Sequence, residues 1–470
     1  MLILNQKGGQ AMRVKGFARL LIAILLLVVS GYFSSLYAGS NYQEVQAKLF
    51  EQIPVKPGDT VNASNWQSVK DLLPPSMVEW VKDGKLEMKI GEIQYEFSAD
   101  DAYKKRCAAN AGKYALNENK SVIDKRSGEI PKYIEGRPFP TIYEEWKNDP
   151  DAGIKIMHNV FLDVSRSGAT VVDFDINWVN SEKMERGLAG NFSRYFFWNR
   201  PDGQQQNPND YSYLELYFIS QPPDLNGMMT LSKRYLEFQT DDYFAYVPSI
   251  RRVKKLSGAA RSDPFAGSDF VLDDSNGWEG KNESMTWKVL DRKIILMPLQ
   301  ENTLDEPIKG FQNESGAWAM DMRRKSVKAA WEVPGNKELA WMPTNVVWVP
   351  RDMFVIEGMP HDKYYNYGRQ IMYEDTTVGG VYKIAYDKAL TYWKTLVTVP
   401  VPAVWGGDDG KAYRTFCSRS FFLIVDDKTQ HACTTHYARN LDGNEYRHTY
   451  GDPNVRQGNF SESMMGTKSR

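Results

Sequence analysis

Apolar and polar side chains alternate with a period of two through most of the chain after residue 150. Residues 172–179 are an example, in which apolar Val172, Phe174, Ile176 and Trp178 alternate with acidic and amide side chains. Successive side chains of a strand point to opposite faces of a sheet. This pattern therefore predicts a strand with one apolar and one polar face.

Ten such runs follow one another, with turn sequences between them, as at residues 222–227 and 376–380. Few long helical windows lie between these runs, which favours an antiparallel meander over strand–helix–strand units. We predict a mainly β (α+β) fold with one large antiparallel sheet that curls, closes or is covered. The runs are residues 172–179, 211–220, 233–239, 243–256, 286–299, 327–333, 345–360, 369–375, 380–388 and 419–427.

The chain before residue 150 has a different pattern, with short helical stretches separated by proline-containing breaks. These stretches are residues 41–53, 65–88 and 101–116. From these changes of pattern we expect four regions. They are a signal peptide at 1–38, a helical lid or docking region at 39–150, the antiparallel domain at 151–450 and a polar C-terminal tail at 451–470.

The N-terminal segment has the three parts of a secretory signal. Residues 12–19 carry three basic side chains, residues 20–29 are all apolar, and small Ala38 precedes Gly39. We therefore expect the chain to be exported. Leu36 lies where signal peptidases prefer a smaller residue, so an uncleaved membrane anchor is the alternative, because residues 20–38 are uncharged and long enough to span a bilayer.

Composition and charge exclude several classes of protein. The 470 residues carry 58 Lys and Arg against 59 Asp and Glu, a balance that argues against a nucleic-acid binder. A hydrophobic fraction of 42% and an aromatic fraction of 13% supply a large core, which excludes a disordered chain. The mean hydropathy of −0.51 excludes a membrane protein with many spans.

Large aromatic side chains stand at alternating positions of the predicted strands, where a curled sheet presents a concave face. If that face encloses a cavity, it suits an apolar ligand, with the N-terminal helices as a cover. If it does not, the same side chains fill a core. The predicted cavity wall consists of Phe174, Trp178, Tyr217, Tyr246, Trp287 and Trp348.

Residues 246–270 combine a strand pattern with a cluster of charges. A strand through residues 251–255 would carry basic side chains on both faces, so one face must be a rim or a partner surface. The acidic residues downstream could pair with these cations and hold the loop against the strand. The alternative is that Arg251 or Arg252 binds the head group of a lipid. The residues concerned are Arg251, Arg252, Arg261, Asp263, Asp269 and Asp273.

The histidines and cysteines do not make a convincing reactive site. In a strand, His431 and Cys433 would share one face and His436 the other, and no fourth metal ligand is evident, so we expect no metal. The sequence leaves a disulfide between Cys417 and Cys433 open, because the turn signal between them is off-centre. No common catalytic or phosphate-binding motif occurs, so we expect no catalytic residues, no enzyme and no cofactor.

Three ordered blocks, residues 246–270, 286–298 and 346–388, resemble a proteobacterial family of exported proteins related to the LolA and LolB outer-membrane lipoprotein-sorting carriers. The resemblance covers roughly residues 42–437, and residues 389–394 depart from the family pattern by lacking a glycine before Trp393 and Lys394.

The resemblance implies a half-open LolA-like β-barrel with helices across its mouth. It also implies a periplasmic carrier or chaperone that moves a lipid or a lipoprotein acyl chain between the inner and outer membranes. Its implied partners are a resistance-nodulation-division exporter and an outer-membrane β-barrel protein. Two alternatives remain open, a non-enzymatic adaptor whose barrel is filled by its own side chains and an exported hydrolase with an unfamiliar site.

Overall fold

The structure is a computed structural model that describes residues 42–163, 166, 168–200, 202–320, 327–406, 412–437 and 447–468, without the side chains of residues 259, 405, 412–418 and 468. The predicted signal peptide lies outside the described residues. The chain forms two compact units, residues 1–52 and 53–470. In the first unit, the structure describes helix α1, Tyr42–Glu51, where the sequence predicts a helix.

Five further short α-helices belong to the second unit. Two of them begin where local chemistry favours a helix start: Pro75 occupies the first turn of α2, and the Asp100 side chain accepts a hydrogen bond from the Tyr103 backbone N–H of α3 at 2.8 Å. Within the described residues, no helix is both long and apolar enough to cross a membrane. The helices are α2 Pro75–Lys82, α3 Asp101–Ala108, α4 Ile142–Glu145, α5 Ala152–Phe161 and α6 Glu462–Lys468.

The N-terminal region contains small sheets as well as helices. The predicted helix at 101–116 ends at Ala108, because the Asn110 amide turns away to donate to the carbonyl groups of Glu135 and Arg137, and residues 114–116 form a strand instead. The strands before residue 330 are β1 Thr60–Val61, β2 Met88–Lys89, β3 Tyr114–Leu116, β4 Val122–Asp124, β5 Ala169–Asn180, β6 Met184–Phe196, β7 Tyr211–Gln221, β8 Met229–Tyr235, β9 Asp242–Val247, β10 Arg252–Leu256, β11 Met285–Gln300, β12 Ile308–Gln312, β13 Trp318–Met320 and β14 Lys328–Ala329.

The remaining strands are β15 Pro343–Thr344, β16 Val346–Pro360, β17 Arg369–Asp375, β18 Gly379–Tyr386, β19 Tyr392–Gly406, β20 Ala412–Asp426, β21 His431–His436 and β22 His448–Tyr450. Strands β5 to β13 and β16 to β22 form one sheet of 16 strands, whereas β14 and β15 pair with each other in a separate two-stranded sheet. The sheet runs antiparallel from β10 through β9, β8, β7 and β6 to β5, and then through β21, β20, β19, β18, β17 and β16 to β11. Strands β22, β13 and β12 form a second link between β5 and β19, with β12 parallel to β19.

The two ends of this order, β10 and β11, are not paired with each other in the described part of the chain. The sheet is therefore curled and half-open, and the predicted mainly β fold class is confirmed.

The strand predicted at 243–256 is in fact a hairpin. Strand β9 ends at Val247, a short 3-10 turn follows at Pro248–Ile250, and Arg252 in β10 lies opposite Val247. Pro248 has no backbone N–H to donate to a strand ladder, which explains the break. Arg251 occupies the turn with a φ of 50°, so it does not share a strand face with Lys255 as predicted. The predicted strand at 327–333 shrinks to the two residues of β14.

The loop between β10 and β11, residues 257–284, lies on the concave face and fills part of it. Phe265, Phe270 and Leu272 from the loop are buried against side chains of β5, β6, β7, β19 and β20 in one hydrophobic cluster. Phe265 contacts Tyr217 with ring centroids 5.7 Å apart, and Phe270 contacts Phe422 edge-to-face at 5.6 Å. The loop therefore supplies the core of the half-barrel.

The opposite face of β7 and β8 is covered by the C-terminal segment. Val455, Phe460 and Met465 are buried in a cluster with Leu214, Leu216 and Leu231. The segment at 451–470, which the sequence predicts to be a polar tail, therefore contributes apolar side chains to the packing and contains α6.

Candidate functional site

A partly open, mainly apolar cavity lies between the N-terminal region and one end of the sheet. It contains about 620 Å³ of empty space including its open mouth. Its walls come from residues 130–134, from the end of α5, from β7 and β8, and from residues 280–283. The apolar lining includes Ile130, Ile134, Phe161, Leu162, Trp198 and Leu236.

Helix α5 forms one wall because it packs unusually close to β11. A Cβ atom on Gly153 would lie 2.7 Å from the backbone carbonyl of Trp287, so only glycine fits there. The neighbouring His158 ring is held at both nitrogens, since Nε2 donates to the Lys120 carbonyl at 2.8 Å and Nδ1 accepts from the Asn282 amide at 3.4 Å. These contacts bring Phe161, the last residue of α5, to the cavity.

Basic side chains form the polar part of the cavity wall. The Arg234 guanidinium donates from Nε to Asp241 at 2.8 Å and from Nη1 to the Gly280 carbonyl at 3.2 Å. Burial alone would lower the pKa of Arg234, but the Asp241 carboxylate raises it above its usual value, so the group stays charged. Lys281 donates to the carbonyl groups of Glu237 and Gln239 at 2.5 and 2.9 Å, and burial lowers its pKa.

None of the six residues predicted for the cavity wall lines this cavity. Phe174, Trp178 and Tyr217 belong to the cluster that the loop fills, and the Trp178 indole donates to the Gly267 carbonyl of that loop at 3.1 Å. The other three are also buried, but in different surroundings. Trp287 packs edge-to-face on Trp278 beneath α5, and Tyr246 lies in the cluster under the C-terminal segment. The backbone of Trp348 on β16 forms an isolated β-bridge with Ile90.

The predicted charged cluster divides into a buried pair and exposed residues. Arg261 and Asp273 form a buried ion pair of 2.7 Å that holds two parts of the loop together. Arg261 also donates to Ser232 of β8 at 2.9 Å, so the pair fastens the loop to the sheet as well. Arg251 and Arg252 are exposed on the hairpin, and exposed Asp263 accepts from the Asn366 amide at 3.2 Å.

Asp269 joins His431 and Cys433 in a group that could hold a metal ion, since their ligand atoms all lie within 4.8 Å of one another. In the structure, these groups bond to each other. The Asp269 carboxylate is 2.6 Å from His431 Nδ1, which raises the pKa of His431, and burial raises the pKa of the Cys433 thiol well above its usual value. The three side chains form a hydrogen-bonded network, in which the Asp269 carboxylate contacts both His431 and Cys433.

His436 points to the other face of β21, as the sequence predicts, and contacts Asp175 at 2.8 Å. Cys433 is a free thiol that lies opposite Ile424 in the β20–β21 register. The side chain of Cys417 lies outside the described residues.

A second group of buried charges lies beside the loop, and sequence reasoning did not find its members on β17 and β18. Lys383 contacts Asp274 at 2.5 Å, and the Tyr367 hydroxyl donates to Asp274 at 3.0 Å. Glu374 is buried nearby, and burial raises its pKa to about 7. The strand pattern gives no sign of such charges, because alternation predicts apolar side chains on a buried face.

Comparison with known proteins gives a family and a set of structural neighbours. Residues 60–450 match the family described as "Protein of unknown function (DUF1329)". A domain from Vibrio parahaemolyticus, named as an outer membrane lipoprotein-sorting protein, is 15% identical with a TM-score of 0.42, over 68% of this chain and 100% of that chain. Comparison with curated proteins finds no match.

Two further solved structures have comparable similarity. A DUF1329 family protein from Desulfovibrio piger is 15% identical with a TM-score of 0.43, over 67% of this chain and 99% of that chain. A LolA superfamily protein from Nitrosomonas europaea is 10% identical with a TM-score of 0.33, over 63% and 90% of the two chains.

Proposed function

The chain belongs to the DUF1329 family, and from that premise we propose that it is a non-enzymatic binding protein for a lipophilic ligand. The observation that carries this proposal is the partly open cavity between α5, residues 130–134 and the ends of β7 and β8. A concave site with apolar walls and a few polar groups is the usual form of a small-ligand site.

The wider role that we propose follows from the sequence resemblance. The three blocks at 246–270, 286–298 and 346–388 support a carrier or chaperone for a lipid or a lipoprotein acyl chain. In this role the protein works in the periplasm between the inner and outer membranes, with an exporter and an outer-membrane β-barrel protein as partners.

A second candidate function is an adaptor with a filled barrel, and the loop at residues 257–284 favours it. Phe265 and Phe270 occupy the concave face where a LolA-like carrier was expected to hold its cargo. An adaptor needs a stable shape and a docking surface, and a filled core supplies the first of these. The two functions differ in whether the cavity beside α5 takes up a ligand.

Filling the cavity tests the proposal. In Leu236→Trp the larger side chain enters the cavity, and we expect the binding of a fluorescent fatty-acid probe to weaken by about tenfold or more, equivalent to about 1.4 kcal/mol. The matched control is Phe238→Trp on the same segment, where the side chain is 44% exposed and does not line the cavity. This control should bind the probe like the original protein.

The bound ligand is sought directly by native mass spectrometry and organic extraction of full-length protein purified from the periplasm without detergent. About one lipid molecule per chain would support a carrier. An empty chain that also takes up no probe would reject the binding function in favour of the adaptor.

A further inference from the structure

Three hydrogen-bond donors in the wall of the cavity beside α5 have no partner. They are Trp198 Nε1, Ser212 Oγ and Arg234 Nη2, and their residues are only 6%, 3% and 3% exposed. They lie on neighbouring chain segments, since the Phe197 N–H bonds to the Ser212 carbonyl at 3.1 Å and Arg234 is opposite Tyr213 in the β7–β8 register. The unpaired donors therefore belong to one wall.

Such a wall is unfavourable in the absence of a ligand. A buried donor without a partner loses its hydrogen bonds to water and gains none in return, so native proteins rarely keep several together. Some buried indoles elsewhere in the described residues are paired, as those of Trp178 and Trp287 are with backbone carbonyl groups, and others, such as those of Trp331 and Trp341, are not. In this wall three unpaired donors lie together beside a cavity, which points to an acceptor that comes from outside.

The charges of the wall indicate an anionic acceptor. Lys132, Arg234 and Lys281 line the cavity against one carboxylate, Glu283, which accepts a hydrogen bond from Ser121 at 2.9 Å. The Asp241 carboxylate accepts a hydrogen bond from the Nε of Arg234, and the Nη2 of Arg234 has no partner and can donate to a ligand. A guanidinium N–H with neutral donors beside it suits a carboxylate, because charge-assisted hydrogen bonds are the strongest of their kind.

We propose that this wall binds the carboxylate of a single-chain fatty acid, whose hydrocarbon tail lies against Phe161, Leu162 and Leu236. This inference rests on the proposed binding function and adds the chemical class of the ligand. The modest free space of the cavity suits a chain of medium length, so dodecanoate is the probe of choice.

The test compares dodecanoate with methyl dodecanoate, which has the same tail without the charge, in competition with the fluorescent fatty-acid probe. The original protein should prefer the acid by about tenfold or more, which corresponds to about 1.4 kcal/mol. Ser212→Ala and Trp198→Phe each remove one unpaired donor, and each should weaken acid binding several-fold while ester binding stays the same. Arg234 is kept, because its loss would leave the buried Asp241 without its hydrogen-bonded guanidinium.

The control variant is Ser220→Ala, an exposed position of the same strand β7 that should leave both ligands unaffected. Urea unfolding should show that Ser212→Ala and Trp198→Phe are at least as stable as the original protein without ligand. Equal binding of acid and ester, with no effect of the two variants, would overturn the head-group assignment and leave the binding function intact. Binding of neither ligand would reject the proposed function itself.

Discussion

The aromatic side chains of this sheet pack in two different ways on either side of the 257–284 loop. Around Phe174, Trp178 and Tyr217 the loop packs against the concave face, and the buried Arg261–Asp273 ion pair fastens it there. Around Phe161 and Trp198 the packing stops short, a cavity remains, and buried donors lack partners.

The loop-filled region should therefore contribute mainly to stability, and the region around the cavity mainly to binding. Close packing and paired charges stabilise the folded chain, whereas an empty cavity with unpaired donors only lowers stability unless a ligand fills it. We therefore expect substitutions in the loop-filled region to change the free energy of unfolding. Substitutions in the wall of the cavity should mainly change ligand affinity.

The largest expected effect is the loss of the ion pair that fastens the loop. Asp273→Ala leaves the Arg261 guanidinium buried without its carboxylate, which should lower the free energy of unfolding by about 3–5 kcal/mol in urea titrations. Asp263→Ala, an exposed position on the same loop, is the control and should change it by less than about 0.5 kcal/mol. Similar values for both variants would mean that the pair does not hold the loop.

A pH-dependent effect is expected from Glu374, whose pKa in the folded protein is about 7 against an ordinary value of 4.5. Because burial favours the protonated form, its contribution to stability is fully present below pH 4.5 and is lost as the pH rises through about 7. Glu374→Gln removes this loss.

Urea unfolding at pH 5 and pH 8 measures the effect. Between these two values the original protein should lose about 2–3 kcal/mol relative to the Gln variant. A constant difference between the two proteins at both pH values would show that Glu374 does not titrate in this range.

The smallest expected effect comes from the removal of one methylene group, compared between the two regions. Ile176→Val in the filled cluster should cost about 0.5–1.5 kcal/mol of stability. Ile134→Val in the wall of the cavity should cost less, because the missing group borders existing empty space. Equal losses in urea titrations would contradict the division into a filled and an unfilled region.

Local patterns were enough to predict many of the strands. The segment predicted at 369–375 is β17, and alternation in 172–179 places its apolar side chains on one face, as observed. The polar side chains on the other face of β5 are buried as well, with Asp175 and Asn177 only 2% and 1% exposed, so alternation predicted the apolar face but not the burial of the polar one.

Two long strands escaped prediction because neighbours determine them. Strand β6 contains Gly190, where a Cβ atom would lie 2.1 Å from the Phe218 carbonyl, at a bulge against β7. Strand β19 contains Pro400 beside another bulge, against β20. Glycine and proline normally argue against a strand, and here the partner strand's bulge accommodates them.

The sequence by itself determined the mainly β class, most strand faces and the family, because alternation and ordered motifs are local properties of the chain. Only the tertiary structure decided which aromatic face is filled and where a cavity remains. That outcome depends on the loop at 257–284, whose Arg261, Phe270 and Asp274 contact residues far away in the sequence. Long-range packing of this kind has no periodic pattern, so only the folded chain reveals it.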